Sequence, residues 1–259
     1  MPLSKVNRPG LNTGIADSSD ATAITIDSSE RVGIGAAPAA KLHVQTSAVN
    51  SSIDNVADDF VIENNGASGM TVLSANNDSG FILFGDNDYN AAAGIRYEHA
   101  NSAMSFRVNS AWDRLRIDSA GRVTMPQQPT FHGHFNAVFG ANSSIGNRIT
   151  AHIATVQNVG NMFNSSNTRW TVPVAGQYLF HVTVMKSGNN TAAGHLDMSF
   201  NGQGANTTYR VRMSEGATYD QPSFTVVRNM AANDYMELYY YGTPNIHSEH
   251  SSIVVRLLG

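Results

Sequence analysis

Apolar and polar residues alternate over short spans of this chain, and each span ends in a cluster of Gly, Asn, Asp, Ser or Pro. In the first half "AITIDSS", "RVGIG", "KLHVQT", "FILFG", "SFRVNS", "RLRID" and "RVTM" carry the period of two expected of half-buried strands. The i, i+3, i+4 spacing of an amphipathic helix is nearly absent, and Gly and Asn interrupt almost every window of helical length. The pattern predicts an all-β protein. In the second half it predicts strands over 131–139, 149–157, 168–173, 177–185, 195–201, 207–213, 223–229, 234–241 and 251–258. The turns between them, among them "PVAGQ", "NGQGAN" and "SEGATYDQP", have turn chemistry, and this spacing argues a sandwich or barrel.

The period assigns faces. In "YLFHVTVM", Tyr178, Phe180, Val182 and Val184 share one face, and His181 and Thr183 lie on the other. In "YMELYYYG", Met236, Leu238 and Tyr240 alternate with Glu237, Tyr239 and Tyr241. Aromatics on both faces predict a strand buried on both sides, whereas a sandwich strand needs only one buried face. Tyr239, Tyr240 and Tyr241 are therefore expected at a contact with another chain, the other reading being tyrosines that cover the surface.

One echo runs through the first half. Residues 26–32 read "IDSSERV" and residues 117–123 read "IDSAGRV", each a strand, a turn and a second strand opening on Arg-Val. The expected division is an N-terminal segment at 1–22, a small β-rich module at 23–125 bounded by the two echoes, a Pro-punctuated hinge "PQQPT" at 126–130, and a C-terminal domain at 131–259. The run "GIGAAPAA" supplies the small residues needed where chains crowd an axis.

Composition narrows the function. The chain has 259 residues, 41% hydrophobic and only 14% charged, so neutral polar groups must cover its surface. A net charge of −4 leaves no electrostatic footprint for nucleic acid, and no stretch has the length of a membrane helix. Cysteine is absent, which removes disulfides and Cys-ligated metals. The start lacks the apolar run of a signal peptide, so synthesis in a cytoplasm is expected.

Two resemblances give the pattern a family. "NVGNMFNSSNTRWTVPVAGQYLFHVTV" (158–184) resembles the signature of the globular heads of the complement q chains, which share a fold with tumour necrosis factor; Asn158, Gly160, Phe163, Trp170, Pro173, Gly176, Tyr178 and Phe180 carry it. The resemblance implies a ten-stranded jelly-roll sandwich over 131–259 that assembles as a tight homotrimer, without the collagen stalk of the complement proteins. "ADSSDATAITIDSSERVGIGAAPAAKLHV" (16–44) is similar to N-terminal segments of bacteriophage tail fibres, notably those of cyanophages, with Ala36-Ala37 where Thr is usual. Residues 81–123 look like the strand-rich repeat that follows in such fibres. Together they imply β-rich fibre modules, intertwined or stacked as a trimer, that end in a jelly-roll head. The implied role is that of a virion appendage joined to other tail proteins by its N-terminal region, with the head on a host surface glycan or protein. A decoration protein without receptor binding is the alternative.

Candidate chemistry is sparse. In a jelly-roll walk the turns at 242–250, 214–222, 187–194 and 140–147 share the end away from the stem, and those at 174–176, 201–206 and 230–233 lie near it. This makes Asn189, Asn190, Tyr219, Asp220, Asn245, His247 and His250 the candidate receptor contacts. His132 and His134 fall on one face of a strand, so three chains would bring six imidazoles to an axis, enough for a transition metal; the other reading is a pair of exposed strand histidines. No other cofactor is expected. No convergent carboxylate pair is visible, so no enzyme is expected, a tailspike-like glycan hydrolase being the remote alternative.

Overall fold

The structure, a computed structural model, describes residues 24–49, 51–137, 147–150, 153–187, 192–204 and 209–259. Among them every regular element is a strand. The expected N-terminal segment at 1–22 lies outside the described residues. The chain divides into two compact units, Met1–Leu73 and Ser74–Gly259.

In the first unit β1 (Ile24–Ile26), β2 (Val32–Ile34), β3 (Leu42–Gln45) and β4 (Phe60–Glu63) form one sheet in chain order. β1 and β2 are antiparallel, whereas β2–β3 and β3–β4 are parallel. The register puts Ile24, Ile34, Val44 and Ile62 in one row and Ile26, Val32, Leu42 and Phe60 in the next, so one face is wholly apolar. The other face holds buried His43, whose Nε2 meets Glu63 at 2.9 Å. Two small residues of "GIGAAPAA" allow close backbone approach within the chain. A Cβ on Gly33 would lie 2.2 Å from the Ala36 carbonyl oxygen, and Gly35, at φ +82°, faces the Gln45 carbonyl oxygen as closely.

The second unit opens with an antiparallel meander of β5 (Ser79–Phe84), β6 (Ala93–Glu98), β7 (Ala103–Val108), β8 (Ala111–Ile117) and β9 (Val123–Thr124). One face again is apolar by register, with Ile82, Ile95, Phe106 and Leu115 in one row and Tyr97, Met104, Ile117 and Val123 in the next. The reverse face is a charged network. Arg116 meets Glu98 at 2.9 Å and Asp113 at 3.1 Å, and Arg96 lies 4.5 Å from the Trp112 ring centroid. The expected single module at 23–125 is thus two separate sheets, with the boundary between units after Leu73.

Both echo turns are built alike. Asp27 Oδ1 accepts the Ser29 and Arg31 amides and Oδ2 the Arg31 Nε; Asp118 Oδ1 accepts the Ala120 and Arg122 amides and Oδ2 the Arg122 Nε. The fourth residue of each five-residue turn is left-handed, Glu30 at φ +62° and Gly121 at φ +77°.

The remainder is a two-layer sandwich. Its strands are β10 (Thr130–Phe135), β11 (Asn147–Arg148), β12 (Ile153–Val159), β13 (Phe163–Asn164), β14 (Arg169–Thr171), β15 (Gly176–Thr183), β16 (Lys186–Ser187), β17 (Gly194–Phe200), β18 (Tyr209–Met213), β19 (Ser223–Met230), β20 (Tyr235–Gly242), β21 (Asn245–Ile246) and β22 (Ser252–Leu257). One sheet runs β12-β10-β22-β15-β19 and the other β13-β14-β20-β17-β18, with β11 paired on β20 and β16 on β21. Eleven strands in sheets of five and six, with the chain crossing between them at β10–β11, β11–β12, β12–β13, β14–β15, β15–β17, β18–β19, β19–β20 and β20–β22, make a jelly roll. The inner faces meet in one core that includes Phe131, Trp170, Phe180, Phe200, Leu238 and Val255. The expected hinge is a short turn at 125–128 held to this domain: Pro129 is buried, its carbonyl accepts the Leu257 amide at 3.0 Å, and Thr130 already belongs to β10.

Candidate binding surface

The jelly roll gathers its loops at two ends. Near the start of β10 lie Gly160, Pro173, the loop at 201–204 tied to 234–235 through Asn201, and the last residues Leu257–Gly259. At the other end lie the exit of β10, β16, the loop at 214–222, β21 and residues 247–251. The Val184 amide donates to the Pro222 carbonyl at 3.1 Å, the His247 amide to the Met185 carbonyl at 2.7 Å, and the Glu249 amide to the Phe135 carbonyl at 2.8 Å.

The centre of the far end is Lys186, a fully buried cation. Its Nζ donates to the Ala217 carbonyl at 3.1 Å and to the Ser214 carbonyl, and its amide donates to the Asp220 carbonyl at 3.0 Å. An ammonium replacing water on two carbonyls fixes the loop at 214–220 from beneath. Asp220 completes the turn, its carboxylate accepting the Ser214 amide. Tyr219 is left-handed at φ +52° and 54% exposed, so the turn presents its ring to solvent. Across from it Gln221 Nε2 donates to the His250 carbonyl at 2.7 Å, and the His247 and His250 rings pack at 4.7 Å. The structure therefore brings together Tyr219, Asp220, Asn245, His247 and His250. Tyr219, Asn245 and His250 are exposed, while Asp220 and His247 are half-buried and used by their own loops. Asn189, Asn190 and most of the turns at 140–147 and 187–194 lie outside the described residues.

The second sheet presents a different outer face. Glu237, 2% exposed, accepts Arg169 Nε at 2.9 Å and also pairs with Arg148; buried Asp197 is gripped by Arg210 through Nε at 2.6 Å and Nη2 at 2.7 Å. These hydrogen bonds raise the pKa of Arg169 and of Arg210 above the ordinary guanidinium range. His195 stacks on Tyr241 at 4.3 Å, and burial, followed by the charge on Arg210, lowers its pKa. Burial, then the charge on Glu237, raises that of Tyr239. The pairing of these charges is absent from the sequence reading; the outward positions His195, Asp197 and Ser199 opposite Tyr241, Tyr239 and Glu237 were the available signal.

Tyr240 needs a correction. It is 1% exposed, belongs to the core of its own chain, and donates its hydroxyl to the Pro244 carbonyl, so it cannot meet another chain. Burial raises its pKa far above the ordinary phenol range. Its neighbours Tyr239 and Tyr241 do lie on the outer face, half-buried and 8% exposed, beside the arginine–acid pairs. His132 is exposed and His134 half-buried on the outer face of the first sheet. Among the described residues no group of three His, Cys, Asp or Glu side chains converges for a metal ion within one chain.

No family model matches the sequence, and no curated protein matches it. Among solved structures the chain is similar to the globular domain of zebrafish complement 1qA (12% identity, 51% of this chain and 98% of that one, TM-score 0.37). It is also similar to murine APRIL (16% identity, 51% and 99%, TM-score 0.41) and to Eiger TNF from S. frugiperda (15% identity, 51% and 94%, TM-score 0.34). The jelly-roll assignment rests on the strand order above, not on these likenesses.

Proposed function

We propose that the protein is a homotrimeric virion appendage, a tail fibre of a bacteriophage, that attaches the particle to a bacterial surface through the far end of its jelly roll. One observation carries the reading. Tyr219, Asn245 and His250 stand exposed on loops pinned together at the end opposite the start of β10. An exposed aromatic beside amide and imidazole groups suits the faces and hydroxyls of sugars, and three copies on one stem convert weak sites into firm attachment. The loops at 214–222 and 242–250 hold Glu215, Asp220 and Glu249 and no lysine or arginine, which disfavours a nucleic acid as the partner. The carboxylates of Asp197 and Glu237 are buried and held by arginines, which favours a structural role for them over acid–base work.

The test is binding of labelled full-length protein to a panel of bacterial strains, cyanobacteria included. The reading expects saturable binding to a subset of strains and at least a tenfold loss in Tyr219→Ala/Asn245→Ala/His250→Ala protein. Binding to no strain favours a decoration protein without a receptor. Unchanged binding by the triple variant moves the site away from these loops.

A further inference from the structure

The two N-terminal sheets each have a wholly apolar face that a single chain leaves open. In the first, Ile26 is 62% exposed, Ile24 and Phe60 are each 50% exposed, and none of the eight residues in its two rows is buried. In the meander, Ile82 is 43% exposed and Val123 57%, and again none of the eight is buried. Eight of eight apolar positions, twice, is not the scattered exposure of an ordinary surface. The reverse faces are mixed, carrying the His43–Glu63 contact in one sheet and, in the other, the Arg96, Arg116, Glu98 and Asp113 network beside Phe81 and Leu83, which are 44% and 46% exposed.

Parallel sheets occur with both faces covered, and β2-β3-β4 is a parallel sheet of three- and four-residue strands with one face uncovered. A layer of that size is not stable without a second layer. Residues 1–23 carry four large aliphatic side chains and one Met, spread among Ser, Asn, Asp, Pro and Gly. At about 4.8 Å between strands and 3.3 Å per residue, the two faces together span roughly 600–700 Å². That approaches the ~800 Å² each partner contributes to a stable interface. A copy of the same chain brings a face of equal size with no charge on it, so like meets like without repulsion.

We infer that these two apolar faces are where copies of the chain meet, the sheets of different chains packing face to face around the fibre axis with their charged reverse faces in water. The number of copies, three, rests on the reading proposed above; the location of the interface does not.

The absence of native cysteine makes the test direct. Ile26→Cys and Ile82→Cys full-length proteins are oxidised and run without reductant, with Val156→Cys, 60% exposed on the jelly roll, as the control. The expected result is a disulfide-linked dimer for the two face variants and a single chain for the control. In parallel, Ile26→Lys/Ile82→Lys protein is weighed by light scattering and is expected to fall to one chain of 27.8 kDa that retains the β-sheet circular dichroism of the jelly roll, which closes its own core. Free, reagent-accessible thiols at both face positions, or a lysine variant that keeps the wild-type mass, overturn the inference. In the second case the fibre reading survives, with the interface elsewhere. Dissociation by Val227→Lys on the jelly roll but not by the face variants also overturns it.

Discussion

At the residue scale, most side chains that mark this sequence as distinctive have a mechanical task. Asn158 brackets Phe163, accepting its amide at 2.9 Å and donating to its carbonyl at 3.0 Å; Phe163 packs on Trp170 at 4.8 Å; Tyr178 donates its hydroxyl to Val174 at 2.9 Å. The echo turns are equally specific. Gly121 has open space around its absent Cβ, so Gly121→Ala carries only the left-handed backbone cost and is expected to lower stability by about 1 kcal/mol. Glu30→Gly, at the matching place, is expected to cost nothing measurable; thermal melts of both variants check the pair. Lys186→Met keeps the volume but strips the ammonium from two carbonyls. A loss of about 1–3 kcal/mol is expected, together with faster amide exchange confined to 214–220.

At the element scale, ion pairs decide how strands are dressed. Glu237→Gln leaves Arg148 and Arg169 converging without their anion and is expected to cost about 2–3 kcal/mol in a denaturant titration, because the site is buried on the acid side. Acid has a defined effect on the turns. The Arg31 side chain holds the Asp27 carboxyl below its ordinary pKa, and the Arg122 amide and side chain do so for Asp118. A depressed folded pKa stabilises the fold above the ordinary carboxylate value and is lost as pH falls through the folded one. Amide protection at 27–31 and 118–122 is therefore expected to hold at neutral pH, to weaken as pH falls below the ordinary carboxylate value of about 4, and to be lost only below the depressed folded one. The strand pattern itself was readable: Tyr178, Phe180 and Val182 are buried and His181 and Thr183 half-buried, as period two requires. Two things were not. The strand at Phe60–Glu63 lacks a clean alternation, and parallel pairing of β2, β3 and β4 leaves no local signature; the strand at Ala93–Glu98 does alternate, Ile95 and Tyr97 against Arg96 and Glu98, and was readable. Tyr240 was placed on its correct face by the pattern, but aromatics on both sides hid that the outer face is filled by arginines 68 and 89 residues away from Glu237.

At the scale of the whole molecule, a jelly roll that closes its own core follows two sheets that do not close theirs. The head was legible because its strands are long, alternating and separated by Gly- and Asn-rich turns; the gathering of Tyr219, Asn245 and His250 at one end followed from counting them. The open apolar faces were not legible, since they appear only once the register of two- to seven-residue strands is known. Such a chain is expected to be most stable as an assembly and to lose stability on dilution. The central claim, several chains joined into one appendage, is tested most directly by the mass of the intact chain in solution, by light scattering after size exclusion. The account predicts three times 27.8 kDa. A single chain of 27.8 kDa at micromolar concentration would contradict it.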